Sequence, residues 1–131
     1  MSNKSNGSRR ERETAEFLGW HGFWATLLAP TSAGQPADII AARGGRPYLI
    51  DSKDCRTGRF ELKRMEPNQR MAMTAWRKAG NGEGLFALWF TDREPIFVPF
   101  DFLENCESLG VKSVSRDELI NSGITVCVED M

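Results

Sequence analysis

Histidine is almost absent from this chain, with His21 the only one in 131 residues. It stands between Trp20 and Gly22 with no Cys or His partner at zinc-ligand spacing, which removes a zinc centre. What remains for it is to pack against, or cap, the end of a helix. Cysteine is scarce too. Cys55, Cys106 and Cys127 are odd in number and far apart, so they form neither a C-x-x-C pair nor an even disulfide set, which favours a reducing cytosol. No apolar run approaches the ~20 residues of a membrane span. The basic opening 1–12 lacks the apolar centre of a secretory signal. A P-loop, a G-x-S-x-G elbow and a G-x-G-x-x-G turn are missing as well.

What is present is an ordinary globular composition, 40% apolar and 27% charged, in a length that suits one domain. The net charge of −1 hides an asymmetry. Residues 1–80 hold 14 Lys and Arg against 8 Asp and Glu, whereas residues 81–131 hold 3 against 10. A basic first half suits an anionic polymer such as DNA or RNA.

Local patterns predict a helix over 8–20, with Ser8 and Glu11 as its capping box. A strand over 23–29 and a Pro/Thr/Ser/Gly loop follow. Strands over 37–43 and 47–54 flank Gly44-Gly45, a pair that supplies the positive φ of a tight hairpin. A basic segment leads to a helix over 67–78, with Pro67 in its first turn and Gly80 as its stop. Strands over 85–90 and 96–100, a short helix near 101–106, a capping box from Ser115 to Glu118 and an edge strand over 124–128 complete the chain. The four tryptophans, Trp20, Trp24, Trp76 and Trp89, read most simply as core, the alternative being that one at a helix surface stacks on an unpaired base. This order predicts an α/β fold, a mixed central sheet flanked by helices.

The hairpin carries the chemistry. Pairing of its strands brings Asp38 near Asp51 and Lys53, and the last two share a face because they are two apart on a strand. Two carboxylates and an ammonium on one rim are expensive to gather unless a cation or an anionic substrate joins them. Mg2+ is commonly held by one or two carboxylates plus waters and phosphate oxygens. Asp38 and Asp51 are therefore candidate Mg2+ ligands of a phosphodiesterase, with Mn2+ as a substitute. Lys53 is placed to offset charge on the transition state. Arg9, Arg10, Arg12, Arg56, Arg59, Lys63 and Arg64 flank these acids in sequence and are candidate phosphate contacts.

Asp38 and the run Asp51-Ser52-Lys53 resemble the PD-(D/E)XK nuclease signature, and more specifically that of archaeal-type Holliday-junction resolvases. Gly7-Ser8-Arg9-Arg10-Glu11-Arg12 is similar to that family's G-S-x-x-E-R opening. Ala29-Pro30-Thr31-Ser32, Ala37-Asp38-Ile39-Ile40-Ala41, Gln69 and Phe97-Val98-Pro99-Phe100 resemble its later motifs. The likeness covers about residues 4–103. It departs in two places: Ala37 separates Pro36 from Asp38, and the second acid is Asp51 where Glu is more frequent.

The resemblance implies a restriction-endonuclease-like core, expected over 8–103. Composition predicts a flexible basic segment, 1–7, before it and an acidic appendage, 104–131, packed on it; the resemblance offers no counterpart for the latter. The resemblance also implies Glu11 as a third acid reaching the metal, Ser32 in a loop over the site, and Gln69 bonded to the attacking water or to Lys53. The function implied is a cytoplasmic, Mg2+-dependent, structure-selective endonuclease of DNA recombination and repair, acting on four-way junctions as a homodimer. Alternatives are a nuclease on flap, nicked or single-stranded DNA, of phage or restriction context, and a catalytically silent DNA-binding module.

Overall fold

The computed structural model describes residues 3–32 and 34–131, with side chains from Arg9 onward. Among these the elements run α1 (Asn3–Trp20), β1 (Trp24–Leu27), β2 (Ile39–Arg43), β3 (Arg46–Asp54), β4 (Arg59–Glu61), α2 (Pro67–Lys78), β5 (Leu85–Trp89), β6 (Ile96–Pro99), α3 (Phe100–Ser108), β7 (Ser113–Ser115) and α4 (Arg116–Asn121). Short 3-10 turns cover Leu62–Arg64 and Val128–Asp130. One sheet has the order β1-β2-β3-β5-β6, and β4 and β7 pair in a second, two-stranded sheet.

The hairpin sets the register of the large sheet. Gly44 and Gly45 adopt φ of 59° and 80°. A two-residue type I′ turn needs positive φ at both positions, which side chains tolerate poorly. Ile39 then pairs with Ile50, and Arg43 with Arg46. β3 runs parallel to β5 from Ile50–Leu85 to Asp54–Trp89. Parallel neighbours need a long return, which α2 helps supply. All five residues of β5 are buried, as expected of a strand covered on both faces.

Each face of the sheet has its own apolar layer. Leu18 of α1 packs with Phe23, Ile39, Ala41, Ile50, Ala87 and Phe97 on one side. Met73 of α2 and Leu103 of α3 pack with Leu49, Phe86, Leu88 and Val98 on the other. α2 lies so close that a Cβ on Gly84 would stand 2.6 Å from Met73 Cγ.

Several expectations change. α1 begins at Asn3, so Ser8 and Glu11 sit inside the helix rather than capping it; residues 1 and 2 lie outside the described part. The strand expected over 124–128 is one bridge, Val126 to Phe97, followed by the Val128–Asp130 turn. β4 and β7, three residues each, were not foreseen. Trp20 and Trp24 are 81% and 66% exposed, because β1 is an edge strand and Trp20 ends a helix. Trp89 is core, and the Ser115–Glu118 capping box forms as expected. His21 Nδ1 bonds the Phe17 carbonyl at 2.8 Å, closing the end of α1.

The close approach of α2 makes a prediction. Gly84→Ala should destabilise the protein by about 1–3 kcal/mol, the usual range for overpacking. Urea unfolding measures it, and an unchanged midpoint would contradict the packing described.

Candidate active site

Strand alternation turns Asp51 and Lys53 towards α2, and Ser52 and Asp54 towards α1. Asp38 sits one residue before β2, and the rung opposite it is Asp51. Its N–H donates to the Ile50 carbonyl (3.1 Å), and its Oδ2 accepts from the Ser52 N–H (2.7 Å). The carboxylates of Asp38 and Asp51 are thereby brought together with 6% and 1% exposure. Asp51 Oδ1 accepts from Gln69 Nε2 (3.1 Å), while the Gln69 carbonyl oxygen accepts from the Glu66 N–H (3.0 Å). One side chain thus closes the first turn of α2 and holds the carboxylate. Lys53 Nζ lies 3.2 Å from Asp51 Oδ2, yet no hydrogen bond is directed at that oxygen.

Burial is the main reason the Asp38 carboxyl is pushed up to about 9. The Asp51 charge adds to it, the Ser52 N–H opposes it, and Glu11 raises it further. Asp51 is also raised, by burial first, with the Lys53 ammonium opposing. The Lys53 ammonium stands beside Asp51 alone, and Asp51 Oδ2 accepts no directed hydrogen bond. Among the described residues no three His, Cys, Asp or Glu side chains are gathered so as to hold a metal ion. A pair of acids completed by water and phosphate oxygens is nevertheless a usual setting for Mg2+. The donor set fits a hard divalent cation.

α1 is fixed to this site by a stripe at four-residue spacing. Thr14 Oγ1 accepts from Ser52 Oγ (2.9 Å) and Trp89 Nε1 (2.8 Å) and donates to the Arg10 carbonyl (2.7 Å). Arg10 donates to Asp54 (3.3 Å), Glu13 (3.2 Å) and Asp92 (2.6 Å), and its guanidinium lies 4.8 Å from the Trp89 ring centre. With no exposed surface, Arg10 is a tie between helix and sheet, which corrects its expectation as a phosphate contact. Glu11, the next residue, lines the cleft.

That cleft encloses about 890 Å³. Asp38, Asp51 and Lys53 lie in it with Glu11 and Gln69, and Arg56, Arg59 and Arg64 form a basic wall. The other expected residues are not in its lining. Ser32 is exposed in its loop. Arg12 is exposed on α1, Arg9 pairs with Glu13 (3.2 Å), and Lys63 stands 3.4 Å from Glu61. Gln35, Thr57 and Glu66 line the cleft but were not singled out in the sequence. For Glu66 a signal existed, since Glu66 and Gln69 have capping-box spacing.

A buried Asp pair with a lysine two residues on, at the end of the middle strand of a mixed sheet, defines a PD-(D/E)XK nuclease of restriction-endonuclease-like fold. The family model for archaeal Holliday junction resolvase (Hjc) matches residues 2–126. The chain belongs to that family, whose members are endonucleases that hydrolyse DNA phosphodiesters. No curated protein matches the sequence significantly. Among solved structures, Hjc from Archaeoglobus fulgidus, a Holliday junction resolvase from an archaeal hyperthermophile, superposes with a TM-score of 0.70. It is 20% identical, over 95% of this chain and 98% of that one.

If the acids await a cation, Asp38→Asn should stabilise the metal-free protein, by about 0.5–2 kcal/mol. The amide keeps an acceptor for the Ser52 N–H and has no ionisation for folding to oppose, whereas burial makes the Asp38 carboxyl take up a proton that it sheds when unfolded. Mg2+ at a hundred times its Kd should stabilise the wild type by about 2.7 kcal/mol through mass action. The variant should lose that gain. Thermal unfolding with Mg2+ or EDTA checks both, and an equal Mg2+ response in the two proteins would count against Asp38 as a ligand.

Proposed function

We propose that this chain resolves four-way DNA junctions by hydrolysing phosphodiester bonds at the Asp38–Asp51 centre. The observation that carries the reading is the buried carboxylate pair, undercompensated by Lys53 and opening into a basic-walled cleft, in a chain of the resolvase family. Asp38 and Asp51 would hold the divalent cation, Mg2+ or its substitute Mn2+, with Glu11 assisting. When bound, it supplies Lewis-acid polarisation of the phosphate and a water of lowered pKa.

The remaining work falls to the chain itself. Gln69 fixes the orientation of Asp51. The Lys53 ammonium, anchored beside Asp51, meets negative charge that builds on phosphoryl oxygens. Arg56, Arg59 and Arg64 grip backbone phosphates, contacts that position a duplex without reading its bases. Selection by shape rather than sequence follows from that chemistry.

A junction presents two equivalent strands, so we place two copies of the chain on it. Support comes from Trp24 and Leu27, exposed by 66% and 44% on β1, the open edge of the sheet, and from Trp20, 81% exposed at the end of α1. A DNA-acting resolvase is expected to work in the cytoplasm. Among the described residues no helix is long and apolar enough to cross a membrane.

Synthetic four-way junctions, flaps, nicked and linear duplexes, each with Mg2+ or EDTA, test the substrate. Junctions should be cut in preference, and only with the metal. Asp51→Asn should slow cutting by about a thousandfold or more, as expected for several kcal/mol of lost transition-state stabilisation. Its junction affinity should stay within about threefold, since backbone contacts dominate affinity. Intact junctions beside cut flaps would overturn the substrate, and wild-type binding without cutting would leave a DNA-binding module.

For the second copy, light scattering should give a dimer mass for the wild type and a monomer mass for Trp24→Glu. A monomeric wild type would remove the two-copy arrangement.

A further inference from the structure

The basic wall of the cleft is not free-standing. β4 pairs with β7, Arg59 opposite Ser115 and Glu61 opposite Ser113, and the Leu62 N–H donates to the Lys112 carbonyl at 2.9 Å. Inward-facing Phe60 and Val114 are buried in the layer that also holds Leu119 of α4. The outward side of this wing is polar. There Arg59 Nε donates to Ser113 Oγ (2.7 Å), and its NH2 donates to the Ser113 carbonyl (3.1 Å) and to Glu118 Oε1 (2.8 Å). Glu118 has a second task, since Oε1 also accepts from the Ser115 N–H at 2.9 Å as half of the α4 capping box.

We propose that Glu118 is a built-in stand-in for a DNA phosphate. It occupies the Arg59 guanidinium while the cleft is empty and yields it to a backbone phosphate when DNA binds, so that the charge on α4 sets how firmly the wing grips. The inference rests on the nuclease reading of the cleft. Three features support the exchange. Arg59 lines the cleft that holds Asp38 and Asp51. The pair is half exposed on both sides, with side-chain exposures of 50% and 57%, and exposed pairs are weak enough to swap partners. Ser113 keeps the guanidinium on the wing whichever anion occupies it, so the exchange does not require Arg59 to be rebuilt.

The consequence is electrostatic and measurable. In the wild type, a phosphate that takes Arg59 leaves Glu118 unpaired, and the cation it then attracts offsets part of the counterion release. Glu118→Gln removes that offset and retains the helix cap, because Gln serves at the third helical position of a capping box as Glu does. The variant should bind a synthetic four-way junction about two- to fivefold more tightly, the scale of one exposed ion pair. Its plot of log K against log salt should steepen by up to about 0.9, one further phosphate neutralised.

Both effects should vanish in an Arg59→Ala background. Arg59→Ala alone should weaken binding and flatten the same slope, this flattening and the Glu118→Gln steepening adding to about 0.9, the share of one phosphate. Electrophoretic or anisotropy titrations from about 50 to 200 mM salt, without divalent metal, supply the readout. A Glu118→Gln slope equal to the wild type overturns the proposal, as does a gain that persists without Arg59, which is bulk charge. An Arg59→Ala protein that binds like the wild type also overturns it. A wild-type protein that binds no branched DNA would instead remove the nuclease reading itself.

Discussion

Two carboxylates meet at one rung of a hairpin, in a place where burial opposes their ionisation. The Ser52 N–H, the Gln69 amide and the Lys53 ammonium each compensate part of that charge. They do not compensate all of it, since Asp51 Oδ2 receives no hydrogen bond and Glu11 adds a third acid nearby. A fully neutralised cluster would have little affinity for a cation. The residual deficit is what suits the acid pair to a cation, and the fold has to hold the acids together in spite of it.

The holding is done from both faces of the sheet. On one face Arg10, Thr14 and Leu18 form a stripe at four-residue spacing, and all three are fully buried. A buried guanidinium is costly unless paired, and Arg10 finds acids on α1, β3 and the turn after β5 together with the Trp89 ring. These partners come from separate elements, so Arg10 fixes the helix against the ends of two strands. Glu11 is then carried to the cleft by its neighbour's anchorage. On the other face Gln69 joins the first turn of α2 to Asp51, which couples a helix start to a carboxylate.

Much of this was legible in the sequence where signals are local. Gly44-Gly45, Pro67, the apolar run of β5 and the Ser115–Glu118 box each specify their structure within a few residues. The acids and Lys53 were legible because strand periodicity puts Asp51 and Lys53 on one face and the turn returns Asp38 to them. The displaced proline does not disturb that, because Asp38 is placed by backbone pairing with Ile50. What was not legible depends on partners far away in sequence. β4 is too short to announce itself and exists by pairing with β7, more than fifty residues on. Composition does not say which arginine of Arg9, Arg10 and Arg12 turns inward, since Asp54 and Asp92 decide it. Trp24 looks like core until β1 is known to be an edge.

Residues 104–131 pack on both layers of the core. Val114 and Leu119 join the layer of α2 and α3, while Val128 and Met131 join that of α1. Arg43 secures the second of these by donating to the backbone oxygens of Val128, Glu129 and Met131, with its guanidinium 4.3 Å from the Phe23 ring centre. This gives the charge asymmetry a structural reason. The acidic segment must approach the basic one to support the wing, and Glu118 meets Arg59 where it does so. The apolar contacts that build the wall thus also bring in the charge that pairs with it.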